Sequence, residues 1–590
     1  MGFCLNAYLE EIPTCLLDHT RPALAPLTQP GLQRLLSSYS LLTVMVLAAL
    51  YLTLMFNASL FQALYQAHEA TALKQAVFMV SSAIIVFLIA LMVISLLAFR
   101  PLFKAWLILL LLSGSMASYF TTHYHIILDR SMVDNIMQTD WDETRELLSP
   151  AQLIYWIATG LLPSALVVLV RIRYPRPLIH LGLQASTFVI GIPLILGVAF
   201  TQYQDFASVF RNNRELRYLL VPSGYLYALS TYGVQKLGHK HQEITHLGQD
   251  AHQGSLWQQS TRKNLLILVV GETARAQNFS LGGYARNTNP KLAQDDVIYF
   301  SNVHSCGTST AISVPCMFSP FGRDNYDESR IRYSDNLLDV LHYAGVDVLW
   351  RDNNSGCKGV CDRIAYDDLR SVTDPQLCND HECFDMVLMD HLEKRIDQLQ
   401  NGGVIVLHQK GSHGPGYFLR TPKEFKRFTP ECHSVELQQC SQAEIQNAYD
   451  NTILYTDHLL DQLISFLKTH EDQYNGALMY VSDHGESLSE GNVYLHGLPY
   501  RIAPEEQTHV PLLLWLSKHY AMQMGIDQDC LRRHTDAPFS HDNVFDTVLD
   551  LVNVDTSIHH TEKSMVSDCM APTTRTVKNG DTTIDDARQT

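Results

Sequence analysis

The sequence predicts a protein of two domains, with five membrane-spanning helices at the N-terminal end followed by an α/β sandwich. Two observations support this division. Long apolar runs dominate the chain up to about residue 200, whereas the rest has the mixed composition of a soluble domain. That second part alternates short apolar runs with helical segments, which is typical of a parallel sheet covered by helices. A chain of 590 residues is long enough for both domains.

The membrane domain is expected over residues 35–200, after an N-terminal extension of residues 1–34. Its apolar runs are close to the roughly 20 residues that a helix needs to cross a bilayer. Arginine and lysine concentrate before the first run and in the second and fourth loops, which places these segments in the cytoplasm. The C-terminal domain is therefore expected outside the cytoplasm. In a Gram-negative cell, this means an inner-membrane protein with its large domain in the periplasm. The predicted spans are Leu35–Phe56, Ala76–Phe99, Leu102–Phe120, Leu153–Val170 and Leu178–Phe200.

Cysteine placement agrees with this topology. Cys4 and Cys15 precede the first run, and all other cysteines follow Gly271. Close pairing in a long domain favours disulfides in an oxidising compartment; a structural zinc site is the alternative, although no pair has the C-x2-C form. The expected disulfides are Cys306–Cys316, Cys357–Cys361, Cys378–Cys383 and Cys432–Cys440, while Cys530 and Cys569 could form a fifth or stay free.

Two polar segments adjoin the spans. In the loop after the third span, Asn135, Thr139 and Glu143 recur at every fourth position, hence on one face of a helix. That face could be solvated, or it could meet a lipid headgroup. Residues 201–263, which begin with interleaved aromatic residues and arginines, are expected to form helices at the membrane surface and a linker. The net charge of −17 argues against general nucleic-acid binding but leaves room for a local basic site that binds anionic lipid.

The soluble domain is expected over residues 264–553, with residues 554–590 as a flexible tail. Ligands of parallel sheets gather at the carboxyl ends of strands, which places Glu272 and Thr273 at that edge. Asp483 and His484 directly follow another predicted strand. The predicted strands are Leu265–Val270, Val346–Trp350, Val404–His408, Ala477–Ser482 and Val510–Leu516, and a helix is predicted at Ile445–Leu467.

The segment Ser305–Ser319, SCGTSTAISVPCMFS, offers the hydroxyls of Thr308 and Thr310 in a small-residue loop. A hydroxyl is a poor nucleophile until a base or a metal lowers its pKa. Carboxylate, imidazole and hydroxyl groups at strand ends suit Zn²⁺, so Glu272, Asp483 and His484 are candidate ligands. His408, His413 and His496 are further candidates, and Ser355 with Lys358 could contact a phosphate, although Lys358 could equally be a solvated surface residue.

These motifs resemble the membrane-bound lipid A phosphoethanolamine transferases, a group that includes the mobile colistin resistance enzymes and belongs to the alkaline phosphatase and sulfatase superfamily. The resemblance extends from about Leu35 to Asn553. It is carried by GET at Gly271–Thr273, CGTSTAISVPCMFS, GSHGP, SDHGES and the HG at His496–Gly497. It implies an alkaline phosphatase/sulfatase-type sandwich.

The resemblance also implies roles for individual residues. Thr310 would be the nucleophile that carries phosphoethanolamine, and it would bind the principal zinc together with Glu272, Asp483 and His484. His413 and His496 would bind phosphate or a second zinc and assist proton transfer. Substrate contacts are expected from Asn135, Thr139, Glu143, Ser355, Lys358, His408, His413 and His496.

The implied reaction moves phosphoethanolamine from phosphatidylethanolamine to lipid A phosphate and gives polymyxin resistance. A core sugar of lipopolysaccharide or another periplasmic glycan is an alternative acceptor, and phosphoglycerol transfer is an alternative reaction. A sulfatase is disfavoured because SVPCM is not a C/S-x-P-x-R motif. A transporter is disfavoured because the spans hold few charges. A sensor is disfavoured because it would have no reason to gather Glu272, Thr310, Asp483 and His484. A monomer is expected, although no motif determines the oligomeric state or the acceptor.

Overall fold

The structure is a computed structural model that describes residues 38–68, 70–139, 144–145, 147–238, 243–379, 381–400 and 402–571. The N-terminal extension, Glu143 and residues 572–590 lie outside the described residues.

The N-terminal domain is helical. Among the described residues, four helices are long and apolar enough to span a membrane. A bent pair of helices, Leu41–Phe56 with Ala58–Ala67, makes a fifth span if the two helices cross the membrane together. Its two helices meet at 61°. The helices are α1 Leu41–Phe56, α2 Ala58–Ala67, α3 Ala72–Ser95, α4 Phe103–His123, α5 Arg130–Gln138, α6 Pro150–Leu169 and α7 Pro177–Thr201. A π-helical turn, Ile157–Leu161, interrupts α6, and short strands β1 (Ser38–Ser40) and β2 (Arg171–Arg173) pair in parallel beside the spans.

The segment after the last span lies against the membrane helices, as its composition predicts. It contains α8 (Tyr203–Asn212), a 3₁₀-helix at Arg214–Leu219 and α9 (Ser223–Gly238). The loop after α4 is helical only in part. Helix α5 ends at Gln138, and Thr139 has extended backbone with ψ 132°, so Asn135 lies within the helix and Thr139 just beyond its end.

The C-terminal domain is built on a seven-stranded sheet in the described part of the chain, with the order β5–β13–β10–β4–β9–β7–β8. Strands β10, β4, β9, β7 and β8 are parallel, and β13 runs antiparallel to β10 and β5. The five predicted strands correspond to β4, β7, β9, β10 and β13. The strands are β3 His252–Gln253, β4 Lys263–Gly271, β5 Ile298–Phe300, β6 Val303–His304, β7 Asp347–Asp352, β8 Ala365–Asp368, β9 Gly402–His408, β10 Tyr474–Ser482, β11 Ser487–Leu488, β12 Tyr494–Leu495, β13 Leu512–Leu516, β14 Phe539–Ser540 and β15 Val554–Asp555.

Helices cover both faces of this sheet, which explains why its central strands carry apolar residues at consecutive positions. Along β4, Leu266, Leu268 and Val270 pack into one core, whereas the alternate residues pack into the core on the other face. The helices are α10 Ser255–Gln258, α11 Thr310–Met317, α12 Glu328–Arg332, α13 Leu337–Tyr343, α14 Leu392–Asp397, α15 Gln442–Thr469, α16 Glu505–Thr508, α17 Lys518–Met524, α18 Gln528–Arg533 and α19 Val544–Leu551.

The prediction of a flexible tail from residue 554 is wrong for residues 554–571. Strand β15 pairs with β3, and Met565, Val566 and Cys569 are buried in the core on one face of the sheet. The short 3₁₀-turns of this segment gave no apolar periodicity to detect. The four expected disulfides are confirmed, and Cys530 and Cys569 form a fifth within the described residues.

The Cys530–Cys569 disulfide should contribute more stability than its shorter counterparts. It closes a loop with a sequence separation of 39, against 8 for Cys432–Cys440, and the chain-entropy model gives about 4 kcal/mol for the longer loop. We expect Cys530→Ala/Cys569→Ala to lower the thermal unfolding midpoint of the purified protein more than Cys432→Ala/Cys440→Ala does. An equal or smaller fall would contradict a stabilising role for the C-terminal segment.

Candidate active site

The register of the parallel strands brings polar residues together at one edge of the sheet. Ser482 at the end of β10 pairs with Gly271 at the end of β4, so the residues that follow them, Asp483 and Glu272, lie side by side. His408 ends β9 opposite Val270. The next strand, β7, ends with Asp352 opposite His408. Four adjacent strands thus end in a row of buried polar side chains.

Of the two threonines in the segment Ser305–Ser319, Thr310 is the one that contacts Glu272. Thr310 is the first residue of α11, and its Oγ1 lies 3.1 Å from Glu272 Oε2 and 3.5 Å from His484 Nε2. Thr308 faces away, because its hydroxyl donates to the carbonyl oxygen of Leu498 at 2.6 Å. The first hydrogen bonds within α11 are those that Ile312 and Ser313 donate to the carbonyl oxygen of Ser309. The N–H groups of Thr310 and Ala311 precede these bonds and can meet an anion at Thr310.

Glu272, Asp483 and His484 form a group that fits a metal ion. One ligand atom from each lies within 4.8 Å of the others, and all three residues are fully buried. Asp483 Oδ2 has no hydrogen-bond partner among the described residues, although it lies 3.3 Å from His484 Nε2. His484 Nδ1 donates to the Gly485 carbonyl at 2.9 Å, which leaves Nε2 for a metal. Two carboxylates, one imidazole and the Thr310 hydroxyl make a donor set suited to a divalent cation.

The pKa values of Asp483 and His484 show that the buried group of Glu272, Asp483 and His484 favours a positive charge at its centre. Burial, together with the charge of Glu272, raises the pKa of Asp483 to about 7. Burial disfavours a charged His484, but Asp483 and Glu272 outweigh it and raise the His484 pKa to about 9. Two neighbouring buried carboxylates thus hold a proton on His484, and a divalent cation would take its place.

His408 is predicted to contact the substrate, but the structure places it behind Glu272. His408 is fully buried, and its Nδ1 lies 3.0 Å from Asp352 Oδ2. Burial opposes charge on His408, but Asp352 outweighs it and raises the His408 pKa. Asn354 Nδ2 lies 3.3 Å from His408 Nε2 and donates to Glu272 Oε2 at 2.6 Å. His408 therefore supports Glu272 through Asn354 rather than facing the open side of the site.

His413 and His496 lie on the open side, with ring centroids 5.5 Å apart. His496 Nδ1 donates to Glu486 Oε2 at 2.9 Å, and Tyr417 donates to the other oxygen of Glu486 at 2.8 Å. Burial holds the pKa of His413 well below its usual value, and Lys410 and His496 act in the same direction while Glu272 opposes them. His413 is therefore neutral in the absence of a metal, as both a metal ligand and a proton acceptor must be.

A cavity of about 440 Å³ joins these histidines to the membrane domain. His413 and His496 form one end, and Asn135 and Thr139 of the loop after α4 line it with them, so the structure brings these four predicted residues together. Most other lining side chains are apolar and come from α4, α5, α9 and residues 144–148. Gly497 permits the contact between domains, because a Cβ at this residue, which has φ +89°, would lie 2.5 Å from Met132 Cε.

Ser355 and Lys358 lie in the loop that follows β7. Lys358 Nζ donates to Ser355 Oγ at 2.8 Å, and Ser355 directly follows Asn354, the residue that contacts Glu272. Both predicted phosphate contacts therefore belong to the loop beside the metal group.

Sequence inspection missed several supporting residues. Asp352 lies two residues past the predicted strand Val346–Trp350, and Asn354 lies beside Ser355, so both positions could have been suspected. Glu486 is part of SDHGES. Asp385 gave no signal: it is buried, accepts from the backbone N–H groups of Lys410 and Gly411 at 2.8 Å each, and so fixes the loop that carries His413.

Comparison with known proteins shows the family of this chain. The chain is 43% identical over 528 residues to phosphoethanolamine transferase EptA of Salmonella typhimurium, which covers 89% of this chain and 96% of the relative. The chain belongs to the EptA phosphoethanolamine transferase family. Residues 86–237 match the family described as phosphoethanolamine transferase EptA/EptB, and residues 264–554 match the sulfatase family.

Other members of the EptA family are also similar over most of their length. Phosphatidylethanolamine transferase Mcr-1 of Escherichia coli is 40% identical over 522 residues, covering 86% of this chain and 94% of Mcr-1. The integral membrane protein EptA from Neisseria meningitidis has a TM-score of 0.87 and 34% identity, covering 90% of this chain and 99% of that one. The predicted fold class is confirmed, as is the predicted location: an inner-membrane protein with its soluble domain in the periplasm.

Replacing His408 tests whether it supports the metal group. His408→Ala removes the contacts to Asp352 and Asn354, so Glu272 loses its orientation and metal affinity should fall about 10- to 100-fold. Metal content after dialysis against a weak chelator measures this, with Tyr417→Phe as the control because Tyr417 contacts Glu486 instead. Unchanged metal content with lost transfer activity would return His408 to a substrate-binding role.

Proposed function

We propose that this protein transfers phosphoethanolamine from phosphatidylethanolamine to a phosphate of lipid A through a covalent intermediate on Thr310. One observation carries the proposal: the hydroxyl of Thr310 meets the buried group of Glu272, Asp483 and His484, and this group adjoins an apolar cavity that reaches the membrane domain. The ring centroid of His484 lies 4.4 Å from that of His496, which lines the cavity. Similarity to EptA and Mcr-1 supports the donor and the transferred group.

Zn²⁺ is the metal that the donor set favours, held by Glu272, Thr310, Asp483 and His484. When bound, it would neutralise charge on the transferred phosphoryl group and lower the pKa of the Thr310 hydroxyl. His413 and His496 could hold a second zinc, because both face the same cavity and Glu486 fixes the ring of His496.

In the first step, the Thr310 oxygen attacks phosphorus and the bond to the diacylglycerol oxygen breaks. The threonine proton leaves along the hydrogen bond to Glu272, 3.1 Å away. The diacylglycerol oxygen takes a proton from His496 Nε2, because Nδ1 of that ring is engaged by Glu486. The N–H groups at the start of α11 stabilise the phosphoryl oxygens.

In the second step, an oxygen of the lipid A phosphate attacks the phosphorus of the phosphothreonine ester, and the bond between phosphorus and the Thr310 oxygen breaks. The Thr310 oxygen takes back its proton from Glu272. A neutral His413 accepts the proton of the incoming phosphate, for which its depressed pKa is suited. Asn135, Thr139, Ser355 and Lys358 are proposed to bind the headgroup, and the apolar walls of the cavity to take the adjoining acyl chains. The modified surface is less anionic, which gives polymyxin and colistin resistance.

The neighbouring threonines provide a matched test of the nucleophile. We expect lipid A from cells expressing the wild type or Thr308→Ala to carry a phosphoethanolamine adduct in intact mass spectra, and lipid A from Thr310→Ala cells to carry none. Thr308 tolerates the change because its hydroxyl only donates to Leu498.

An adduct with Thr310→Ala would remove Thr310 from the nucleophilic role. If no strain shows an adduct despite equal expression, the acceptor is not lipid A, and core sugars of lipopolysaccharide become the next acceptor to analyse. An adduct of glycerol phosphate mass would indicate phosphoglycerol transfer.

Metal removal tests the cofactor. Treatment of the purified protein with a chelator should abolish transfer, and Zn²⁺ should restore it, whereas Mg²⁺ should not because it prefers an octahedral oxygen shell. Release of diacylglycerol from phosphatidylethanolamine measures the reaction. Full activity after metal removal, verified by metal analysis, would contradict the proposed activation of Thr310.

A further inference from the structure

The segment between the last span and α9 exposes Arg211, Arg214 and Arg217, which we call the arginine strip. These residues follow the periplasmic end of α7, and in this position they oppose the usual distribution, because lysine and arginine collect on the cytoplasmic side of spans. They also stand out in a protein with a net charge of −17.

The backbone determines which way the strip faces. Residues three apart eclipse in a 3₁₀-helix, so Arg214 and Arg217 share one side of Arg214–Leu219. Leu216 and Leu219 share another side, and both are buried in a cluster with Val209 of α8 and leucines of α2. The apolar side is thus anchored on the membrane helices, and the arginines are held outward at the level of the membrane surface.

Among the described residues, no acidic side chain forms an ion pair with the strip. Arg211 and Arg214 make no ion pair with any described residue, and Arg217 only donates to the hydroxyl of Tyr218 at 3.0 Å. Of the two acidic residues in this segment, Asp205 lies 3.4 Å from His68, and Glu215 occupies a side of the 3₁₀-helix between those of the arginines and the leucines. Exposed guanidinium groups at a membrane surface attract anionic headgroups.

The strip is connected to the active site through its apolar side. Leu498, two residues after His496, packs on the same cluster as Leu216 and Leu219. The carbonyl oxygen of Leu498 accepts the hydrogen bond from Thr308, which lies two residues before Thr310. The 3₁₀-helix that carries Arg214 and Arg217 therefore packs, through its leucines, against the loop that connects His496 to Thr308.

We propose that the arginine strip binds the phosphate-bearing headgroup of the acceptor lipid and concentrates it beside Thr310. This inference rests on the proposed function, since it assigns the strip to the second substrate of the same reaction. The occupant is lipid A, whose disaccharide carries more than one phosphate and so matches several arginines better than a headgroup with a single charge.

The test uses the full-length protein with Arg211→Gln/Arg214→Gln. The control, Lys394→Gln/Lys518→Gln, also removes two positive charges, from exposed residues far from the carboxyl ends of the parallel strands. Lys394 precedes β9, and Lys518 follows the antiparallel β13. Arg211→Lys/Arg214→Lys keeps the charge. Native mass spectrometry of each protein with added lipid A, or with phosphatidylglycerol, measures binding without turnover. Transfer kinetics in nanodiscs measure KM for lipid A and kcat.

We expect Arg211→Gln/Arg214→Gln to reduce lipid A binding and to raise KM for lipid A about tenfold, with kcat and diacylglycerol release in the absence of acceptor unchanged. The control and the lysine variant should behave like the wild type. Unchanged binding and KM in the glutamine variant, or an equal loss in the control, would overturn the proposal. Equal loss of phosphatidylglycerol binding would overturn the selectivity for lipid A.

The two hypotheses fail in different ways. A wild-type protein that binds lipid A through the strip but transfers nothing to it would refute the proposed acceptor and retain the binding site. A protein that modifies lipid A with the same KM after loss of both arginines would retain the proposed function and refute the strip.

Discussion

The active site depends on the register between β10 and β4. Their parallel pairing sets Gly271 opposite Ser482 and therefore brings Glu272 and Asp483 together. The two strands are distant in the sequence, since 210 residues separate Thr273 from Asp483. A slip by one residue would turn these side chains toward opposite faces. The apolar side chains of β4, β9 and β10 prevent such a slip, because each must fill its own core on one face of the sheet.

This arrangement places carboxylates where water cannot solvate them. Burial and mutual repulsion make two adjacent buried carboxylates unfavourable unless positive charge lies between them. His484 supplies that charge as a proton in the absence of metal, and the raised pKa values of Asp483 and His484 express the same constraint. Asp352, His408 and Asn354 form a chain of buried contacts behind Glu272, and the orientation of Glu272 therefore depends on them.

Contacts between the domains place this chemistry at the membrane surface. Arg130 of α5 pairs with Glu328 of α12, and Gly497 allows the loop beyond His496 to meet Met132. Helix α5 also carries Asn135 at the cavity wall. The same membrane helices that anchor the protein therefore form the apolar walls opposite His413 and His496, which suits substrates that must keep their acyl chains in the bilayer.

The sequence by itself determined the two domains, the periplasmic side, the main strands and four disulfides, because long apolar runs, loop charges and close cysteine pairs are local signals. It also indicated Glu272, Asp483 and His484 through their positions at strand ends, and the resemblance to the phosphoethanolamine transferases added Thr310 to this group. Only the tertiary structure decided that Thr308 faces Leu498, that His408 lies behind Glu272, and that residues 554–571 pack on the core. These depend on contacts between distant residues, which no local pattern encodes, and on burial, which a side chain acquires only when the whole sheet is assembled.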